Sequence, residues 1–283
     1  MTTRTSATSD QTVNWAPREE ADYWSGAQAR RDQVMGAATE RMLDLVNLCA
    51  GDRVLDVAAG TGDQTLVAAR RVGPSGSVLA TDISASMLER AGEAARNAGL
   101  NNIETRAMDA ESLELNESSF DAVICRLALM LLPNPVKALT EMRRVLKPGG
   151  KVSALVFSTP EKNPYHKLPL DIVLHLGNVS PPPPGTPGFF ALAGPEVLAD
   201  AYRRAGLRDV AVDAFGIRRL FPSTAEAVRA TKGSYLVLRE LMANLTDAKR
   251  ELVWAEIDQE LGQFEGPNGF DAPGEVLIGV GTK

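Results

Sequence analysis

Cysteine and histidine are scarce, with two of each among 283 residues. Cys49 and Cys125 lie in separate apolar segments, so we expect two buried thiols of a reducing, cytoplasmic compartment and no disulfide framework. His166 and His175 lie nine residues apart and far from the cysteines. This spacing matches no metal-ligand pattern, so we expect no bound metal.

Excess positive charge is also missing. Lys and Arg number 30 against 36 Asp and Glu, a net charge of −6, so no basic surface is expected to bind a nucleic acid. The longest apolar run, residues 123–132, is about half the length of a bilayer-spanning helix and contains Arg126. Residues 1–12 have no apolar core, so no signal peptide is expected. The composition predicts a soluble protein with no membrane span and no nucleic-acid partner.

From residue 52 onward, short β-rich runs alternate with helical patterns, which predicts an α/β fold with a mostly parallel sheet. The predicted strands are 53–57, 78–83, 103–108, 120–126, 152–157, 210–215 and 276–280. Helices are predicted through residue 71, from Ser84 or Ser86, and over 135–146, 195–205, 224–244 and 247–264. Residues 159–193, rich in proline and glycine, interrupt the alternation and predict an insertion or lid without core elements.

A glycine turn joins the first predicted strand to the following helix, with Gly60 and Gly62 as its glycines. Such a turn lets the backbone approach a ligand at the helix N-terminus. Asp82 ends the second strand about 20 residues later, where a carboxylate can accept both ribose hydroxyls. Asp109 ends the third strand, where it could accept a hydrogen bond from an amino group of a base. Ligands of open α/β sheets bind at this edge, so the pattern predicts a nucleoside site.

Two residues distinguish this site from a dinucleotide site. Thr65 occupies the position where a dinucleotide fingerprint has its third glycine. Asp56, inside the first strand, is unusual for a pyrophosphate site but suits a ligand with a sulfonium and an amino group. Both features favour S-adenosylmethionine over NAD.

With these features, the sequence resembles class I S-adenosylmethionine-dependent methyltransferases. Within that class it is similar to the ubiquinone/menaquinone-biosynthesis C-methyltransferases and related small-molecule enzymes (methyltransferase type 11). Five segments between about residues 51 and 160 carry the resemblance in the expected order: VLDVAAGTGDQT, GSVLATDISASML, MDAESL, FDAVICRLALMLLPNP and RVLKPGGKV. The resemblance implies a Rossmann-like seven-stranded sheet flanked by helices, with an antiparallel last strand, N-terminal helices and a helical insertion forming a lid.

The resemblance also implies roles for individual residues around S-adenosyl-L-methionine. The predicted cofactor-binding residues are Asp56, Ala58, Gly60, Thr61, Gly62, Asp82, Ile83, Met87, Asp109, Ala110 and Cys125. Asp82 would bind the ribose, Ile83 and Met87 would flank the adenine, and Asp109 with Ala110 would meet its amino edge. Ala58 stands where the family most often has glycine, a substitution that quinone-type relatives share.

The acceptor site is predicted from aromatic and basic residues outside these segments. Trp24, Tyr165, Phe189 and Phe190 are the candidate substrate-binding residues. His166, expected in a loop after the fifth strand, and Tyr23 are candidate bases, and Arg126 is a candidate for stabilising an oxyanion. The alternatives are aromatic side chains that anchor a surface helix and a solvated loop histidine. His175, in a leucine-rich helical stretch, is expected to be structural.

The predicted function is methyl transfer to a small-molecule acceptor, at carbon or oxygen of an aromatic, phenolic or quinone-like compound. The alternatives are an NAD-dependent oxidoreductase and a non-catalytic cofactor-binding module. The predicted organisation is a flexible tail, 1–16, and a single methyltransferase domain, 17–283. Within this domain we predict a cofactor-binding core at 51–160 and acceptor elements at 17–50, 159–193 and 223–264.

Overall fold

The computed structural model describes residues 18–183, 185–234 and 236–283. The predicted tail, 1–16, lies outside these residues. The strands are β1 (Arg53–Val57), β2 (Ser77–Asp82), β3 (Ile103–Ala107), β4 (Phe120–Arg126), β5 (Leu146–Phe157), β6 (Arg208–Phe221), β7 (Glu265–Gly266) and β8 (Gly269–Thr282). The helices are α1 (Arg18–Gly26), α2 (Gln28–Leu45), α3 (Asp63–Val72), α4 (Ala85–Asn97), α5 (Pro135–Val145), α6 (Pro164–Gly177), α7 (Pro195–Arg204), α8 (Thr224–Ser234), α9 (Leu236–Met242) and α10 (Asp247–Leu261).

The central sheet has the strand order β3-β2-β1-β4-β5-β8-β6, and β7 forms a short hairpin with β8. Strands β1 to β5 pair in parallel, whereas β8 is antiparallel to both of its long neighbours. The Rossmann-like α/β fold and the antiparallel last strand are therefore confirmed. The chain reverses its direction of travel across the sheet between β1 and β4, and ligands of such sheets bind beyond the carboxyl ends at this point.

Helix α5 shows how the sequence determines the elements around this sheet. Asn134 caps the helix by accepting a hydrogen bond from the Lys137 backbone N–H at 3.0 Å, and Pro135 occupies the first turn. The helix buries one apolar stripe against the sheet. It ends at Val145, and β5 begins directly at Leu146, so the Lys-Pro-Gly-Gly segment lies inside an extended strand that starts six residues before the predicted one.

Strands β6 and β8 project beyond the carboxyl end of β5. Phe157, the last residue of β5, pairs with Val276, which also pairs with Phe215 of β6. Beyond that level, residues 216–221 of β6 stay paired with 270–275 of β8. We call this two-stranded segment the projecting ribbon. Six residues of strand extend by about 20 Å, so the ribbon reaches about that far past the carboxyl end of β5.

A second hydrophobic cluster covers the projecting ribbon. It joins Phe221 and Phe270 of the ribbon to apolar side chains of α6, α8, α9 and α10. Helix α6 lies within residues 159–193 and contributes Tyr165, Ile172 and Val173 to the cluster. The prediction that this segment has no core element is therefore wrong, because α6 buries its apolar face against a part of the sheet that a local pattern does not reveal.

Of the two predicted starts of helix α4, Ser84 is confirmed as the cap, because its hydroxyl accepts from the Met87 N–H at 3.4 Å. One smaller prediction needs correction. Cys125 is buried as expected, but Cys49 is exposed, because it lies in the turn between α2 and β1. Among the described residues, no helix combines the length and apolar character that crossing a membrane requires.

Candidate functional site

The turn between β1 and α3 lies at the carboxyl edge of the sheet and contains three residues with a left-handed backbone conformation. Ala58, Gly60 and Gly62 have positive φ angles of 54°, 58° and 88°. A Cβ atom on Gly62 would lie 2.9 Å from the Cβ of Ala91 on α4, so only glycine fits there. At Gly60 a Cβ would meet no atom within 4 Å, so the turn is open on that side. The predicted cofactor turn is therefore tightly packed at Gly62, where α3 begins, and open at Gly60.

The Asp56 side chain is hydrogen-bonded to the first turn of α3, directly after this glycine turn. This side chain is fully buried, and its carboxylate accepts hydrogen bonds from Thr65 Oγ1 at 2.5 Å and Gln64 Nε2 at 3.0 Å. Burial raises the pKa of Asp56 to about 7, although both hydrogen bonds act to lower it. Thr65 thus has a structural role at the position where a dinucleotide site would have glycine. A direct contact between Asp56 and a cofactor stays a prediction.

Asp82 connects the end of β2 to the turn after β1. Its carboxylate accepts from the Gly60 N–H at 2.9 Å and from the Ser84 N–H at 2.9 Å. Burial raises the pKa of Asp82, and these backbone hydrogen bonds counteract that rise. The next residue, Ile83, is 59% exposed, which is unusual for a large apolar side chain, whereas Met87 is buried. The Asp82 carboxylate and the Ile83 side chain therefore give a ligand one polar and one apolar contact at adjacent positions.

The end of β3 lies beside Asp82. The Met108 N–H donates to the Asp82 backbone carbonyl at 3.0 Å, and Asp109 and buried Ala110 follow directly. The Asp109 carboxylate accepts from the Glu111 N–H at 2.8 Å and is exposed. The ends of β1, β2 and β3 therefore meet, as the sequence predicts.

A buried ion network that the sequence analysis missed joins α2, the turn and β4. The Asp63 side chain is 2% exposed and contacts Arg31 Nε at 2.6 Å and Arg126 Nη2 at 2.9 Å. Arg31 Nη2 also donates to Thr61 Oγ1 at 2.9 Å, and Arg126 Nη1 donates to Thr39 Oγ1 at 3.1 Å. Burial alone would raise the pKa of Asp63, but the hydrogen bonds and charges of the two arginines hold it below its usual range.

This network determines the surroundings of two predicted residues. Arg126, the candidate for stabilising an oxyanion, has donors directed at Asp63 and Thr39. Cys125 is fully buried, and burial with the nearby Asp56 raises the pKa of its thiol to about 12. Its side chain therefore stays a neutral thiol.

The structure places the predicted aromatic residues on α1, against the main core and beyond the carboxyl end of β5. Trp24 lies on α1, where Arg31 Cζ is 5.3 Å from its ring centre. Phe190 is half-buried against the main core. The side chain of Tyr23 lies outside the described residues, so its candidate role as a base stays a prediction.

A second group lies beyond the carboxyl end of β5, and we call it the Arg219 cluster. It consists of Phe157, Tyr165, His166, Phe189 and Arg219. The His166 ring lies 4.4 Å from that of Phe157 and stacks on Phe189 with centres 5.2 Å apart. The Arg219 guanidinium lies over Phe157 at 5.5 Å and over Tyr165 at 5.7 Å. The sequence predicted three of the five members and missed Phe157 and Arg219.

His166 lies in the first turn of α6 and is 6% exposed, so its predicted loop position is wrong. Its Nε2 lies 2.9 Å from Arg219 Nη2. Burial and the charge of Arg219 hold the pKa of His166 well below its usual range. Tyr165 is also tied into the fold, because its hydroxyl donates to the Ala227 carbonyl at 3.0 Å. The base role of His166 and the substrate contact of Tyr165 stay predictions.

Comparison with known proteins identifies the family. A family model described as a methyltransferase domain matches residues 48–170. The ubiquinone/menaquinone biosynthesis C-methyltransferase of Pasteurella multocida is 42% identical over 127 residues, 44% of this chain and 47% of that protein. The enzyme of the same name from Teredinibacter turnerae is 35% identical over 168 residues, 56% of this chain and 68% of that protein. The chain belongs to the S-adenosylmethionine-dependent methyltransferase family.

A solved structure supports the fold of this methyltransferase. An S-adenosylmethionine-dependent methyltransferase from Aquifex aeolicus superposes with a TM-score of 0.52 at 22% identity, covering 69% of this chain and 90% of that one. The chain spans about half the length of the first curated relatives that it matches. The shared segments contain the turn, Asp82 and Asp109, whereas the projecting ribbon and helices α8 to α10 lie beyond the family-model match.

Proposed function

We propose that this methyltransferase transfers the methyl group of S-adenosylmethionine to a small-molecule acceptor, at carbon or oxygen of an aromatic, phenolic or quinone-like compound. The names of the Pasteurella and Teredinibacter relatives favour a quinone-type ring and methylation at carbon. The acidic net charge of −6 argues against a nucleic-acid acceptor.

The observation that carries the proposal is the junction of Asp82 with the open turn at Gly60. A half-buried carboxylate at the end of β2 faces a backbone that leaves room for a ligand, and exposed Ile83 follows it. Asp82 would hold the ribose hydroxyls, and Ile83 would cover the adenine. A nucleoside with a short amino-acid tail fits this sequence of polar and apolar contacts.

The other predicted residues would surround the rest of the cofactor. Met87 would lie beside the adenine, Asp109 and Ala110 at its amino edge, and the turn from Ala58 to Gly62 at the amino-acid end. When bound, the cofactor supplies an electrophilic methyl group on a sulfonium. The chain itself would align the acceptor, exclude water and orient any group that loses a proton.

The Arg31–Asp63–Arg126 network supports this arrangement of the chain around the cofactor and the acceptor. It fastens helix α2 to the first turn of α3 and to the end of β4 through contacts of 2.6 Å and 2.9 Å. The arginine pairs would therefore hold helix α2 beside the amino-acid end of the proposed cofactor site. We propose that residues 17–50, 159–193 and 223–264 enclose the acceptor around a cofactor-binding core at 51–160.

Two measurements test the proposal. Titration calorimetry with S-adenosylhomocysteine should give one site per chain, and NAD should not bind. Transfer of a labelled methyl group should then be screened against quinols, phenols and indoles, with tRNA as the macromolecular comparison. Absence of S-adenosylhomocysteine binding, or faster transfer to tRNA than to every small acceptor, would overturn the proposal.

A further inference from the structure

The Arg219 cluster lies where an acceptor would reach the edge of the sheet. Phe157 is the last residue of β5. Phe189 is placed by its neighbour Gly188, whose N–H donates to the Met130 carbonyl, in the turn after β4, at 3.0 Å. The cluster therefore lies just beyond the carboxyl ends of β4 and β5, the side of the sheet on which ligands bind.

The projecting ribbon aims Arg219 at this place. Side chains alternate along a strand, so Ile217, Arg219 and Phe221 share one face of β6 and Arg218 lies on the other. Ile217 and Phe221 are buried, whereas Arg218 is exposed and pairs with Asp271 at 2.7 Å. Arg219 is thus directed inward from a hydrogen-bonded strand, so its backbone is firmly placed.

The contact with His166 determines which residue of the pair carries the charge. Arginine has only donors, so Arg219 Nη2 donates and His166 Nε2 accepts across the 2.9 Å contact. A neutral imidazole then holds its proton on Nδ1. Because the pKa of His166 is held well below its usual range, the ring is neutral near pH 7. The charged group is Arg219, and Nε2 could act as a base only if the two side chains separated.

We propose that Arg219 is the specificity-determining residue for the acceptor and binds an ionised oxygen on a flat aromatic or enolic ring, with His166 as its positioning residue. This inference rests on the proposed methyl transfer and names the acceptor class. A guanidinium is planar, stays charged and stacks on aromatic faces. Phe157 is buried and supports the Arg219 guanidinium, whereas half-buried Phe189 provides a surface for a ring whose oxygen meets the arginine. Ionisation of the acceptor oxygen also makes the acceptor the stronger nucleophile.

The test uses 4-nitrophenol, whose anion absorbs in the visible range, and 4-nitroanisole, which has nearly the same shape and cannot ionise. Binding of each compound is measured at pH 8 in the presence of S-adenosylhomocysteine. We expect the wild type to bind 4-nitrophenolate more tightly than 4-nitroanisole by about tenfold or more, as for a charge-assisted hydrogen bond. Arg219→Gln should abolish this preference, and Arg219→Lys should keep part of it.

Variants of His166 test whether this residue only positions Arg219 or itself carries the positive charge. His166→Gln retains an oxygen that can accept from Arg219, so it should preserve most of the preference, whereas His166→Leu should lose it. The wild-type preference should follow the ionisation of the probe and show no further transition between pH 6 and 8. A transition that disappears in His166→Gln would assign the charge to the histidine and overturn the proposal.

Arg218→Gln is the matched control, because Arg218 has the same chemistry on the opposite face of the ribbon. It should leave the preference unchanged. S-adenosylhomocysteine affinity is measured for every variant. If the wild type fails to bind S-adenosylhomocysteine, the proposed function fails. If binding is intact but the wild type shows no preference for the anion, or Arg219→Gln and Arg219→Lys both retain it in full, only the role of Arg219 is refuted.

Discussion

Replacement of Asp56 by asparagine should change how stability depends on pH. Asp56 is fully buried, and burial raises its pKa from 3.8 to about 7. In the unfolded chain this carboxyl loses its proton near pH 4, but in the folded protein it keeps the proton until near pH 7. The folded state therefore binds more protons between these values, and the free energy of unfolding falls as the pH rises through this window.

The size of the effect follows from the two pKa values. A rise from 3.8 to about 7 corresponds to about 4 kcal/mol of lost stability once the pH is well above 7. Between pH 5 and pH 8 the loss amounts to about 2.5 kcal/mol. The asparagine side chain cannot ionise, so the stability of Asp56→Asn relative to the wild type should improve by this amount over the same range.

Urea unfolding of both proteins at pH 5, 6, 7 and 8 measures this difference, and all other titrating groups cancel in the comparison. Thr65→Val sharpens the test, because the Thr65 hydroxyl donates to the Asp56 carboxylate and lowers its pKa. Its removal should extend the pH-dependent window upward. A difference between Asp56→Asn and wild type that is the same at all four pH values would refute the reasoning.

Three further predictions concern the cofactor turn and its supports. Asp82→Ala should weaken S-adenosylhomocysteine binding by about tenfold or more in calorimetry, because charge-assisted hydrogen bonds contribute about 1.5–3 kcal/mol; unchanged affinity in a folded variant would contradict the ribose assignment. Asp63→Asn should destabilise the protein by about 3 kcal/mol in urea unfolding because it leaves buried arginine charge uncompensated, whereas Asp271→Asn, in an exposed pair, should cost no more than about 1 kcal/mol. Equal losses would argue against a buried network. Ala58→Gly should raise the thermal midpoint, because the φ of 54° costs alanine about 1 kcal/mol, and a lower midpoint would count against this strain.

The sequence predicts the strands at the centre of the sheet well, because their signals are local. The bounds of β1 and β4 agree with the prediction to the residue. Both are short apolar runs buried within the sheet, next to turns with strong signals. Ser84 and Ser86 could not be separated, since each has the chemistry of a helix cap, and the choice depends on how β2 enters the helix.

Contacts between segments far apart in the sequence were less accessible to prediction. Arg31 and Asp63 are 32 residues apart, and Arg219 and His166 are 53 residues apart. No periodicity links such pairs. The adjacent polar residues Asp63, Gln64 and Thr65 at the start of a helix were a signal, since three of them together suggest that some partners lie outside the helix. Arg219 had no comparable signal, because an arginine in an amphipathic strand is ordinarily solvated.

The projecting ribbon has a consequence for how this protein could be redesigned or diverge. Its inner positions, 217, 219 and 221, alternate with outer ones on a framework that main-chain pairing to β8 maintains. Backbone hydrogen bonds do not depend on which side chains the inner positions carry. Under the proposed role of Arg219, a library at position 219 would therefore exchange one acceptor for another, while buried Ile217 and Phe221 keep the ribbon packed and Asp82 and the turn at Gly60, on the opposite side of β4, remain as they are.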